Sequence, residues 1–266
     1  MRPYLQQVIV DAPRRSWVEQ VMGLPISILA RGEGAGSAAA ADAVAAVFAE
    51  LHEVDDRFSL YQPGSELSRL GRGETTLADC HAEVREVARR CDAATRLTGG
   101  VFDAVTPTGR WDPSGLVKGW AAARAQRHLA RVATVDWCLN AGGDVTVLTP
   151  SGRPFTVGIQ DPRDPVGLVA AVPVTTGALA TSGTAARGAH LYDPRSSAVA
   201  AGPWLSVSVV GPELEIADVL ATAAFVAGPD WQALLQSVPG YAGMAVGADG
   251  SQHQTVGWPV PRSEPA

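Results

Sequence analysis

Four clusters in this 266-residue chain carry residue types that do chemistry. The densest is Thr98-Gly99-Gly100-Val101-Phe102-Asp103, followed by Trp111-Asp112-Pro113-Ser114-Gly115-Leu116-Val117-Lys118-Gly119-Trp120. Glycines let backbone approach a ligand, and Asp112 and Gly115 fall where a helix begins. Unpaired N–H groups and a partial positive charge at a helix start let a phosphate dock there, with Lys118 in reach. An Asp that merely complements the helix dipole, beside a solvated lysine, fits the same pattern. Lys118 is the only lysine among 21 basic side chains.

The second cluster, Asn140-Ala141-Gly142-Gly143-Asp144, interrupts a strand pattern, as a β-bulge or a close approach of ligand to backbone would. It is not a GxGxxG fingerprint. The third sets Thr181-Ser182-Gly183 near Arg187 and His190, small hydroxyls with a residue that titrates near neutrality. No nucleophile elbow or HExxH surrounds His190. In the fourth, Asp218 and Thr222 lie four apart on one face of a helix that is apolar nearly all round. A carboxylate buried there needs an Arg, backbone amides or a metal, and an all-oxygen donor pair selects Mg²⁺ before Zn²⁺.

The elements that position these clusters follow from periodicity. Helices are expected from Ser37 to about Asp56, Leu77 to Leu97, Leu116 to about Arg131, about Glu213 to Ala227, and briefly from Asp230 to before Pro239. Strands are expected at Pro25–Ala30, Val135–Leu148, Phe155–Gln160, Leu168–Thr175, Leu205–Val210 and Met244–Val246. Strands follow strands after the first helices, which favours α+β with antiparallel sheet over a doubly wound fold. With 46% hydrophobic against 18% charged residues, the chain can bury a core. A net charge of −6 argues against coating nucleic acid. The spaced cysteines Cys80, Cys91 and Cys138 read as buried hydrophobes in a reducing compartment. No window is apolar enough for a membrane span and no signal-peptide layout is visible, so the expected location is cytoplasmic.

In this order the clusters, with Phe58-Ser59-Leu60-Tyr61, Ser65-Glu66-Leu67 and His190-Leu191-Tyr192-Asp193-Pro194, resemble the ApbE-type flavin transferases (FAD:protein FMN transferases). The resemblance spans roughly residues 22 to 228 and implies one unit over 1–266, with 1–20 and 258–266 peripheral. It implies a T-fold-like α+β architecture of antiparallel sheets packed with helices. It implies Mg²⁺-dependent transfer of FMN from FAD to a Thr or Ser hydroxyl of an acceptor flavoprotein, releasing AMP. Asp218, Thr222 and the Gly115 carbonyl match the metal ligands. Met22, Tyr61, Val101, Phe102, Asp103, Asp112, Lys118 and Tyr192 match FAD contacts, with Thr181 and Ser182 beside them, and His190 matches the candidate base. The link Ala104–Trp111 is shorter than in many relatives. Two further readings stay open: an FAD pyrophosphatase giving FMN and AMP, and a non-catalytic flavin binder.

Overall fold

The computed structural model describes residues 12–184, 191–200 and 202–259. Strands β1 (Arg14–Val21) and β2 (Leu24–Arg31) form a hairpin that precedes helices α1 (Ala38–Phe58), α2 (Glu66–Gly71), α3 (Ala82–Leu97) and α4 (Ser114–Leu129). Strands β3 (Asp136–Ala141), β4 (Asp144–Leu148), β5 (Phe155–Gln160), β6 (Leu168–Val174) and β7 (Thr176–Gly183) follow. The two-residue strands β8 (Tyr192–Asp193) and β9 (Ala198–Val199), then β10 (Trp204–Gly211), lead into α5 (Leu214–Ala227) and α6 (Trp231–Gln236). The described chain closes with β11 (Ala242–Gly247) and β12 (Gln252–Gln254).

Eight strands form one antiparallel sheet in the order β1-β2-β3-β4-β7-β10-β11-β12. Alternation along each strand sends one set of side chains to each face. Ile26, Ile28, Trp137, Leu139, Ala178, Ala180, Val207 and Val209 meet the helices α1, α4 and α5 on one side. On the other side Val145, Val147, Leu179, Met244 and Val246 are covered by the separate β5–β6 ribbon through Phe155, Val157, Ile159, Val172 and Val174. The α+β expectation is therefore met: a helix layer, a sheet and a ribbon.

The strand expected over Val135–Leu148 is two strands. Gly142 and Gly143, with φ of 63° and 105°, form a two-residue hairpin turn rather than a bulge, and Gly143 N–H donates to Asn140 Oδ1 at 2.8 Å. A matching turn, Met22-Gly23, joins β1 to β2 at the same end of the sheet. Met22 holds φ 55°, a conformation a side chain disfavours, and its N–H donates to Asp55 Oδ2 of α1 at 3.1 Å. The helix expected from Leu77 starts only at Ala82. Leu77–Asp79 is a 3₁₀ turn, Cys80 and His81 are extended, and His81 Nδ1 caps the helix by accepting from Glu83 N–H. Cys80 and Cys91 are buried and Cys138 half-buried, all free thiols, and burial pushes Cys91 up to about 12 and Cys138 to about 11. Among the described residues, no helix is long and apolar enough to cross a membrane.

Candidate functional site

A cleft of about 1860 Å³ opens at the end of the sheet where the Met22-Gly23 and Gly142-Gly143 turns lie side by side. Every described residue that the sequence reading nominated lines it. The Thr98–Asp103 segment leaves α3 through Gly99 and Gly100, at φ 60° and 81°, and Thr98 Oγ1 accepts from Phe102 N–H at 3.0 Å. This fold-back lays the Phe102 ring on the first turn of α4, where a Cβ at Gly115 would come within 3.2 Å of it. Asp112 Oδ1 accepts from Ser114 N–H at 3.0 Å, so this carboxylate does serve the helix start. The short link after Asp103 is closed by pairing of Val105 with Trp111, and Tyr192 Oη donates to Val105 O at 3.3 Å. Burial, then the Asp103 and Asp112 charges, raise the Tyr192 phenol above its ordinary value. Tyr61 stands 95% exposed at the mouth.

Lys118 is not a solvated side chain. Its ammonium reaches back from α4 to pair with Asp144, and lies 3.6 Å from Asp218 Oδ1 on α5. Both carboxylates are all but sealed from solvent. Helices α4 and α5 touch through Gly119, whose missing Cβ would sit 3.1 Å from Asp218 Cβ and from Glu215 Cα. Asp144 Oδ1 accepts from Thr181 N–H at 2.9 Å, which ties β4, β7 and α4 together. Asp218 Oδ2 is buried with no hydrogen-bond partner. Burial pushes the Asp218 carboxyl up to about 7, and the Asp144 charge adds to the rise that Lys118 only partly opposes.

Asp144 was legible only as part of a glycine-interrupted strand, and its role as the second carboxylate on Lys118 emerges from strand register. Thr181 and Ser182 also separate in space. Ser182 faces the helices, its Oγ 2.9 Å from Thr222 Oγ1, whereas Thr181 faces the ribbon side and shares a 2.8 Å hydroxyl bond with Ser208. His190 lies outside the described residues.

The donor set at the α4–α5 crossing fits a hard cation: an orphaned carboxylate oxygen on Asp218, the Thr222 hydroxyl one turn on, and the first turn of α4 opposite. Among the described residues no group of three or more His, Cys, Asp or Glu gathers as a metal cluster, so a cation here would draw on neutral oxygens. The charged lining points the same way. Asp55, Asp103, Asp112, Asp161 and Asp218 face the cleft against Lys118 and Arg163, and Arg163 is paired to Asp161 at 2.7 Å. A cleft so acidic holds an anionic ligand only with added positive charge.

Solved structures share this fold. A structure titled as the ApbE protein of Thermotoga maritima superposes with a TM-score of 0.79 at 20% identity, covering 92% of this chain and 97% of that one. The flavin transferase ApbE of Vibrio cholerae gives 0.75 at 19% identity, with 92% and 98% covered. The flavinyl transferase ApbE of Pseudomonas stutzeri, in its apo form, gives 0.75 at 18%, with 93% and 97% covered. No curated protein matches significantly. The ApbE family model matches residues 22–108 and 105–245, so every residue that lines the cleft lies within matched sequence, and the chain belongs to the ApbE family.

Proposed function

We propose that the protein transfers the FMN half of FAD to a Thr or Ser hydroxyl of an acceptor protein and releases AMP. The observation that carries this reading is the orphaned Asp218 oxygen beside Lys118 in an otherwise acidic cleft, a place built for a pyrophosphate accompanied by a cation. Asp218, Thr222 and the Gly115 carbonyl are the groups to hold Mg²⁺, which supplies positive charge against the charge growing on the transferred phosphate.

In the reaction the acceptor Oγ forms a bond to the phosphorus that bears the flavin. The anhydride bond from that phosphorus to the bridging oxygen breaks, and AMP leaves with the electron pair. The hydroxyl proton passes to a base, for which His190 is the nominated residue. Lys118, held by Asp144, orients the pyrophosphate. The exposed Tyr61 and the Met22, Val101 and Phe102 side chains offer apolar surface to the flavin ring.

The test is to incubate the protein with FAD and Mg²⁺, with and without acceptor polypeptide, and follow AMP, free FMN and acceptor mass. Equimolar AMP and flavinylated acceptor is the expected result. AMP with equimolar free FMN in the presence of acceptor would instead mean FAD hydrolysis, and FAD binding without AMP a flavin binder.

A further inference from the structure

All six residues of β5 line the cleft, although their side chains alternate between the buried Phe155, Val157 and Ile159 and the exposed Thr156, Gly158 and Gln160. Successive side chains on a strand point to opposite faces, so a cavity bounded by all of them meets the strand along its edge. β6 pairs with the other edge, and among the described residues no strand pairs with this one.

Register says which backbone groups face the opening. Thr156 lies opposite Pro173, which has no N–H to give, so the residues that exchange bonds with β6 are Phe155, Val157 and Ile159. The N–H and C=O groups of Thr156 and Gly158 therefore point into the cleft. The two edges of the ribbon differ in kind: Pro173 blunts the outer one, as edges exposed to solvent commonly are, while the inner one is left able to pair.

Beneath the open edge, Ser27 and Leu29 of β2 and their partners Asn140 and Cys138 of β3 form a floor on the ribbon side of the sheet. The groove so made runs to the Gly142-Gly143 turn, beyond which the cleft continues to Lys118 and Asp218. The whole cleft, at about 1860 Å³, exceeds the roughly 300–1000 Å³ typical of a site for one small ligand.

We infer that the open edge of β5 receives an extended segment of the acceptor protein as an added strand, lying over the β2–β3 floor and presenting its hydroxyl residue at the sheet end. This rests on the flavin-transfer reading. An extended polypeptide matches alternating N–H and C=O groups at strand spacing, and a flavin or adenine ring does not.

The probe is a mixed library of synthetic peptides, each with one central Thr, incubated with the full chain, FAD and Mg²⁺ and read by mass for flavinylation. The best substrate is then remade with backbone N-methyl groups at single positions. Methylation is expected to cut transfer by about tenfold or more at alternate residues and little between them, the mark of one pairing edge. In the protein, Thr156→Pro removes an N–H that β6 does not use; transfer should fall about tenfold or more while FAD affinity stays within about twofold.

Methylation effects without alternation, or unchanged transfer in a folded Thr156→Pro, would overturn the inference. So would a matching loss of FAD affinity in that variant, which would place FAD on the edge. Bound FAD with no peptide flavinylated would mark a flavin binder or, with AMP released, a hydrolase, and would overturn the flavin-transfer reading on which the inference rests. Failure to bind FAD at all would remove that reading as well. The methylated peptides act on the unaltered protein, so the test survives a Thr156→Pro that does not fold.

Discussion

Two buried carboxylates in this molecule sit beside a cation and come to opposite electrostatic states. At one end of the sheet, Asp136 Oδ2 accepts from Arg31 at 2.9 and 3.2 Å and from Ser151 Oγ at 2.6 Å, while Oδ1 accepts from Ser151 N–H at 3.1 Å. Burial works to raise the Asp136 carboxyl, yet the Ser151 and Arg31 bonds together hold it below its ordinary value. Arg31 is itself stacked over Phe155 at 4.1 Å and donates to Pro154 O at 3.0 Å. At the other end, Asp218 shares Lys118 with Asp144, keeps one oxygen without a partner, and is pushed up. A saturated pair of this kind holds a fold together. An unsaturated one holds a place for a ligand.

The sharpest way to break that contrast is Asp218→Asn. Transfer measured by AMP release should fall by about a thousandfold or more, while the metal-free protein melts at the same temperature or higher, because the change removes a buried charge that is poorly satisfied. A large drop in melting temperature would mean that Asp218 is structural after all. Next in size, Arg31→Met strands Asp136 as an unpaired buried charge and should cost about 3 kcal/mol in denaturant unfolding. FAD affinity per folded molecule should be unchanged.

Lys118→Ala should weaken FAD binding by about tenfold, more than it slows turnover of bound FAD, in a titration paired with single-turnover rates. Equal FAD affinity would reduce the lysine to a clamp between two helices. The smallest effect is on pH. Because the folded Asp136 carboxyl lies below its ordinary value, its contribution to stability is complete above the unfolded value of about 3.9 and is lost as pH falls through the lower folded one. Ser151→Ala should shrink that acid-side loss and cost about 1 kcal/mol at neutral pH, by urea unfolding across pH 2–6.

Much of the helix layer is legible in the sequence. Ser37 caps α1 as its position suggests, accepting from Ala40 N–H at 3.1 Å, and the apolar spacing of α4 and α5 locates both to within two residues. What escaped lacks an amphipathic signature. β1 is exposed along nearly its whole length at the sheet edge, so its residues show no alternation. α2 has only six residues, and β7 reads as a string of small residues whose strand character comes from β4 and β10 on either side. In the site, the residues on one helix, Asp218 and Thr222, were legible as a pair. The link from Lys118 to Asp144 to the Thr181 N–H was not, because it joins segments that meet only once β4 is in register with β7.

The crossing of α4 and α5 at Gly119 sets a mechanical scale for the site. With no side chain between the helices, the lysine-bearing and aspartate-bearing backbones approach so closely that a Cβ added at Gly119 would sit 3.1 Å from each of Asp218 Cβ, Glu215 Cα and Leu214 O. One methyl group inserted there acts as a wedge about the width of the tolerance that catalytic positioning allows. Hydrogen atoms at a single position thus serve as the gauge for the spacing between the charges on either side.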